Sequence, residues 1–151
     1  MSTQVLQIER LIPGVVEANE NVVFDSIVAL TGSVSYDDTT GVITLNEPGD
    51  YEFHWWVATQ SSASSIGMGF ALVSSQGDAI VGNSPIKMGE VVGVGIIQVA
   101  TAPVTVVLRN NNATSVIYSV TVPVQGVLTV MEISNEGETG PTGPTGETGP
   151  T

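Results

Sequence analysis

Chemistry in this chain would have to run through few side chains. His54 is the only histidine and cysteine is absent, so a hydrolytic triad would need His54 as its base and no thiolate could hold a metal. His54 lies between Phe53 and Trp55 inside a strand-like run, and none of the serines stands in a recognisable nucleophile setting. The residues therefore argue against an enzyme and assign no catalytic position. The chemical role left to His54 is titration, which would make an assembly sensitive to pH. Asp25, Asp37, Asp38, Asp50 and Asp78 offer oxygen ligands for calcium at turns, but no loop has the alternating acidic spacing of a dedicated site. Their expected work is in turns and caps, with neither a metal nor a cofactor. Asn112-Ala113-Thr114 matches the N-glycosylation pattern, a short and weak signal.

The charge balance narrows the partners. Arg10, Lys87 and Arg109 are the three basic residues of a 151-residue chain with a formal net charge of -12. Such a surface repels phosphate backbones and anionic lipid, so neither nucleic acid nor a membrane is an expected partner. Charged residues are 12% of the chain and hydrophobic ones 42%, a balance suited to a protein that buries surface between subunits. No basic segment followed by an apolar one opens the chain, so no signal peptide is expected. No run approaches the roughly eighteen apolar residues of a membrane span.

Residues 137–151 read GETGPTGPTGETGPT, with glycine at Gly137, Gly140, Gly143, Gly146 and Gly149. Only glycine fits the crowded axis where three polyproline-II strands wind together, so the strict period predicts a collagen-like triple helix and hence three chains. A flexible Gly/Pro/Thr linker is the alternative. The chain thus divides into a head, residues 1–136, and a collagen-like tail, residues 137–151.

The head reads as all-β. Val5, Leu6, Ile8 and Leu11 form a first strand stopped at Pro13-Gly14; Val15 to Glu17 and Asn21 to Phe24 follow, then Val34 and Tyr36, the turn Asp37 to Gly41, and Val42 to Leu45. In Asp50 to Thr59 the odd positions Tyr51, Phe53, Trp55 and Val57 share the core face, with Gly49 at its start, while Glu52, His54 and Trp56 point away. Ile66 to Val73 alternates large residues with Gly67, Gly69 and Ala71, and Val91 to Ala100 repeats the device with Gly93 and Gly95. A bare face of this kind predicts the close approach of another sheet or subunit. Gly67, Gly69, Gly93, Gly95 and Trp56 are therefore the expected subunit interface, and Gly49, Tyr51, Phe53 and Trp55 the structural core. Further strands are expected at Ala79 to Val81, Val104 to Arg109, Thr114 to Ser119 and Gly126 to Ile133, with turns at Gly82-Asn83 and Gly89 among others. About ten short strands between Gly/Pro/Asn turns predict an antiparallel jelly-roll sandwich.

The order Phe24-Asp25, Tyr36, Thr40-Gly41-Val42-Ile43 and Pro48-Gly49-Asp50-Tyr51-Glu52-Phe53 resembles the trimeric jelly rolls of the tumour-necrosis-factor and complement-type superfamily. Within it, Phe24-Asp25, Ser35-Tyr36-Asp37, Thr40-Gly41, Gly49-Asp50-Tyr51 and Trp55-Trp56-Val57-Ala58-Thr59 are similar to the globular domain of BclA-type collagen-like glycoproteins of the bacterial exosporium. The likeness spans roughly Val15 to Ile133, and Gly-Pro-Thr triplets are typical of that family's stalk. It implies a homotrimer of jelly rolls on a collagen filament at the spore surface, a structural protein among other spore-surface proteins. A coat layer assembled inside the mother cell needs no signal peptide. It also implies O-glycosylation of stalk threonines, here Thr139, Thr142, Thr145, Thr148 and Thr151. The family places its head after the stalk, whereas here the head comes first, and the family's N-terminal anchoring motif is not seen. A second class is open: a binding module, either an adhesin or a phage-fibre tip that recognises sugar or protein.

Overall fold

Valine, isoleucine and threonine repeat with a period of two along most of this chain, and that period has its only stable use in strands that bury one face. The computed structural model describes residues 3–62, 68–85 and 89–133, and within them there are twelve strands and no helix. They are β1 (Val5–Arg10), β2 (Val15–Val16), β3 (Ser26–Thr31), β4 (Ser35–Asp37), β5 (Val42–Leu45), β6 (Gly49–Ser62), β7 (Met68–Ser74), β8 (Ala79–Ser84), β9 (Gly89–Val99), β10 (Val104–Asn110), β11 (Val116–Tyr118) and β12 (Gly126–Ile133).

Two antiparallel sheets face each other across one core. The smaller has the order β4-β5-β10-β7-β8; the larger runs β2-β11-β6-β12-β1-β3, with β9 on the free edge of β6. Fourteen-residue β6 is the spine. One edge pairs with β9 from Gly49–Val99 to Thr59–Gly89. The other pairs with β12 from Asp50–Ile133 to Val57–Gly126, and then with β11. Tyr51, Phe53, Trp55 and Val57 are all buried, as the odd-position pattern predicts. At the far side β1 and β12 pair from Val5–Met131 to Arg10–Gly126, so the first and last strands of the head begin and end side by side.

One expected strand is absent, and one strand is present that was not expected. Residues 21–24 are not a strand: Asn21 makes a single bridge to Arg109 and Val22 N–H bonds Leu108 C=O, while Val22 and Phe24 bury their side chains. Burial alternates there without a ladder. The six-residue strand β3 was not foreseen, because Ile27, Val28 and Leu30 are all exposed and give no alternation to read.

The glycines of β8 and β9 close the sandwich along one side. Trp55 pairs with Gly93, and its indole lies against that residue: a Cβ at position 93 would sit 1.9 Å from Trp55 Cζ2. From the other sheet, a Cβ on Gly82 would sit 2.7 Å from Val92 O and 2.8 Å from Gly93 Cα. Gly82 lies inside β8, not in the expected turn, and Gly89 begins β9. Backbone meets backbone where the two sheets join, and only residues without side chains permit it.

Gly93→Ala should therefore lower stability by about 1–3 kcal/mol in urea unfolding, the usual range for an overpacked core. Gly69→Ala, where a Cβ would lie an ordinary 3.5 Å from Asn83 Cβ, should change it little. Equal losses at the two positions would remove the Trp55 contact as the reason.

Candidate functional site

The period that turns Gly93 and Gly95 inward turns Val92, Val94 and Ile96 outward. These three are 57%, 57% and 54% exposed. The expectation that the bare glycine face would be the subunit contact is thus reversed: at Gly95 a Cβ would meet Ile80 Cδ1 at 2.8 Å, within the same chain. Glycine makes the inward approach, and the large aliphatic side chains of β9 face solvent.

Register extends this row across the large sheet. Val92 stands beside Trp56, and Trp56 beside Val127; Val94 stands beside His54, and His54 beside Thr129; Ile96 stands beside Glu52, and Glu52 beside Met131. Met131 is exposed, and half-buried Trp56 with His54, Val92, Val94, Val127 and Thr129 walls a shallow basin of about 490 Å³. From its wall His54 Nε2 lies 2.8 Å from Glu52 Oε2, a pair on one strand face. The arrangement is a broad apolar surface that includes one polar pair, and β9, paired only with β6 among the described strands, forms its edge. Such a surface can bury against another protein surface; no polar group besides the pair converges on a point.

No protein-family model and no curated protein sequence matches this chain. Solved structures do. The globular domain of zebrafish complement 1qA protein superposes with a TM-score of 0.66 at 12% identity, covering 87% of this chain and 98% of its own. Murine APRIL at pH 5.0 gives 0.63 at 11% identity, covering 87% and 99%. Rabbit GITRL gives 0.54 at 12% identity, covering 87% and 94%. The fold is the complement and tumour-necrosis-factor jelly roll.

The other candidate residues fall as follows. Gly49 opens β6 with φ +151°, and a Cβ there would meet Glu132 Oε2 at 2.9 Å. Gly69 is buried beside β8. Gly67, the five tail glycines Gly137, Gly140, Gly143, Gly146 and Gly149, and the threonines Thr139, Thr142, Thr145, Thr148 and Thr151 lie outside the described residues. Three of the aspartates serve turns and loops: Asp37 Oδ1 accepts from Thr39 N–H and Oγ1, Asp78 Oδ2 accepts from Ser74 Oγ, and Asp25 Oδ1 accepts from the N–H of Leu11 and Ile12. The Thr39 bonds hold the Asp37 carboxyl below its usual range. Among the described residues no three His, Cys, Asp or Glu side chains gather as metal ligands would. Asn112 Nδ2 donates to Gly69 O and Asn110 Oδ1. Sequence reading missed Val92, Val94, Ile96 and Met131; their signal was the same alternation, read with its faces exchanged.

All three tyrosines are tied into the head, and burial raises each phenol. Tyr51, also facing the charges of Glu132 and Glu47, is pushed up to about 12, and so is Tyr118, against the lowering effect of Arg10. An unfolded phenol ionises near 10. The folded state holds these protons more tightly, so the stabilisation is complete below about pH 10 and is lost as pH rises to about 12. In an alkaline titration, phenolate absorbance should appear together with loss of the β-sheet signal in that window. Phenolate forming near pH 10 in a folded head would show the rings open to solvent.

Proposed function

We propose that this chain is a non-catalytic structural protein whose head forms a homotrimer and brings three collagen-like tails into register, as the cap and nucleus of a filament at a bacterial spore surface. The observation that carries the reading is the outward row Val92, Val94 and Ile96 with Trp56 and Met131, an apolar face too broad to suit an isolated chain. Burying each of its large side chains contributes about 1.5–3 kcal/mol toward assembly, set against the cost of association. The strict glycine period adds the count of three, since a collagen axis takes three chains.

The heads would hold the tails at high effective concentration and so reduce the cost of starting a triple helix. The exosporium setting is supported by the likeness at Gly49-Asp50-Tyr51 and Trp55 to Thr59 together with the Gly-Pro-Thr triplets. Under this reading Gly137, Gly140, Gly143, Gly146 and Gly149 line the stalk axis. Thr139, Thr142, Thr145, Thr148 and Thr151 project from it as sites for O-linked sugar, and Trp56 packs between subunits. The head's partners are its own copies and neighbouring filament proteins.

Light scattering of the purified chain should give close to three times its 15.6 kDa mass, and Val94→Asp should return it to a single chain with its β-sheet spectrum intact. A wild-type monomer would end the reading. Gly143→Ala should lower the melting temperature of the tail's polyproline-type circular dichroism while sparing the head. A tail signal that melts unchanged would leave a linker in place of a stalk.

A further inference from the structure

Residues 11–14 invert the usual order of a surface loop, with charge beneath and aliphatic groups on top. The Arg10 guanidinium donates to the carbonyls of Ile12, Pro13 and Val23 and lies over the Tyr118 ring, 4.6 Å from its centroid. Asp25 Oδ1 accepts the N–H of Leu11 at 2.8 Å and that of Ile12 at 3.3 Å. Both charged groups are spent on backbone, and the side chains left outside are Leu11 and Ile12, the latter 57% exposed.

A second loop, residues 119–125, lies beside the first and is bonded to it at both flanks: Gln125 N–H to Arg10 C=O at 2.8 Å, and Tyr118 N–H to Gly14 C=O at 3.0 Å. It is tied from below as well, by Gln125 Nε2 to Val122 C=O at 2.8 Å and by the Ser119–Thr121 hydroxyl pair. It presents Val120, 56% exposed, and Val122. From Leu11 to Val15 and from Val120 to Val124 no residue is charged, in a chain of net charge -12. Loops that display aliphatic groups on bonded backbone have already met the ordering cost that a partner would otherwise impose.

The patch sits at the Arg10–Gly126 end of the β1–β12 ladder, away from the Val5–Met131 end where the head's first and last strands meet. Glu9 and Glu17 flank residues 10–16 in the chain, the charge of Glu20 acts on the Tyr118 phenol, and Glu90 lies on the wall of an adjoining basin of about 410 Å³ shared with Val122 and Thr121. The Arg10 guanidinium is spent on the carbonyls of the first loop and of Val23. A second copy docked pole to pole would set carboxylate against carboxylate, and an anionic bilayer would meet the same repulsion.

We propose that this pole docks a protein whose apolar contact surface is ringed by lysine and arginine. The proposal goes beyond assembly of the head and does not depend on it. The probe is a synthetic amphipathic leucine–lysine peptide, titrated into the full chain at low and moderate salt, beside its leucine–glutamate counterpart and phosphatidylcholine vesicles. The lysine peptide should bind more weakly as salt rises, and Ile12→Ser with Val122→Ser should weaken it about tenfold or more, as loss of central anchors does. Val81→Ser, an exposed position on the smaller sheet, should leave that binding unchanged, and the glutamate peptide and the vesicles should not bind. The proposal is overturned if no peptide binds, if the double variant binds the lysine peptide like wild type, or if the vesicles compete. It is also overturned if the double variant changes the subunit count by light scattering, since the patch would then be a contact between copies. Subunit count in the wild type tests the trimer separately.

Discussion

The structure depends on how closely two strands from different sheets approach one another. β8 and β9 come together at Gly82 and Gly93, backbone on backbone, with the Trp55 indole laid into the junction. A side chain at Gly82 would run into the backbone of β9 and one at Gly93 into the Trp55 indole, and a core that packs to crystal-like density has no slack to absorb either. Trp55 fills this space at a cost: its Nε1 is buried with no hydrogen-bond partner, and burial of so large a ring has to offset that loss. The rest of the sandwich, including the long pairing of β6 with β9, follows from a seam that admits only glycine.

That seam also determines the outer surface. In a strand with glycine at 93 and 95 facing in, residues 92, 94 and 96 must face out, whatever their hydropathy. Their being valine and isoleucine is then a choice about solvent contact and not a requirement of the core. The Glu52–His54 pair stands in that apolar field. A polar pair in such a place disfavours sliding of one surface over another, because any shifted arrangement buries it against aliphatic groups.

Much of this was legible from residue order. Gly49 to Thr59 announces itself because Tyr51, Phe53, Trp55 and Val57 share one face and the turn before it holds Asn46 and Pro48. β3 was not legible, since an edge strand with Ile27, Val28 and Leu30 all in solvent has no buried face to set a rhythm. Residues 21–24 show the converse, a burial rhythm without a ladder, because Val22 and Phe24 plug the core from a segment held by isolated bonds. The bare faces of β7 and β9 were recognised as sites of close approach, but one strand's alternation says that two faces differ and not which one is inside. Choosing between them takes the partner strand, and Trp55 opposite Gly93 is a fact of register.

The pairing of Val5 with Met131 makes the head indifferent to the order in which its parts are encoded. A segment joined before the first strand and one joined after the last would start from neighbouring points of the sheet. Fusion at either end would leave the seam at Gly82 and Gly93 and the outward row of β9 untouched, since both lie away from Val5 and Met131 in the sheet order.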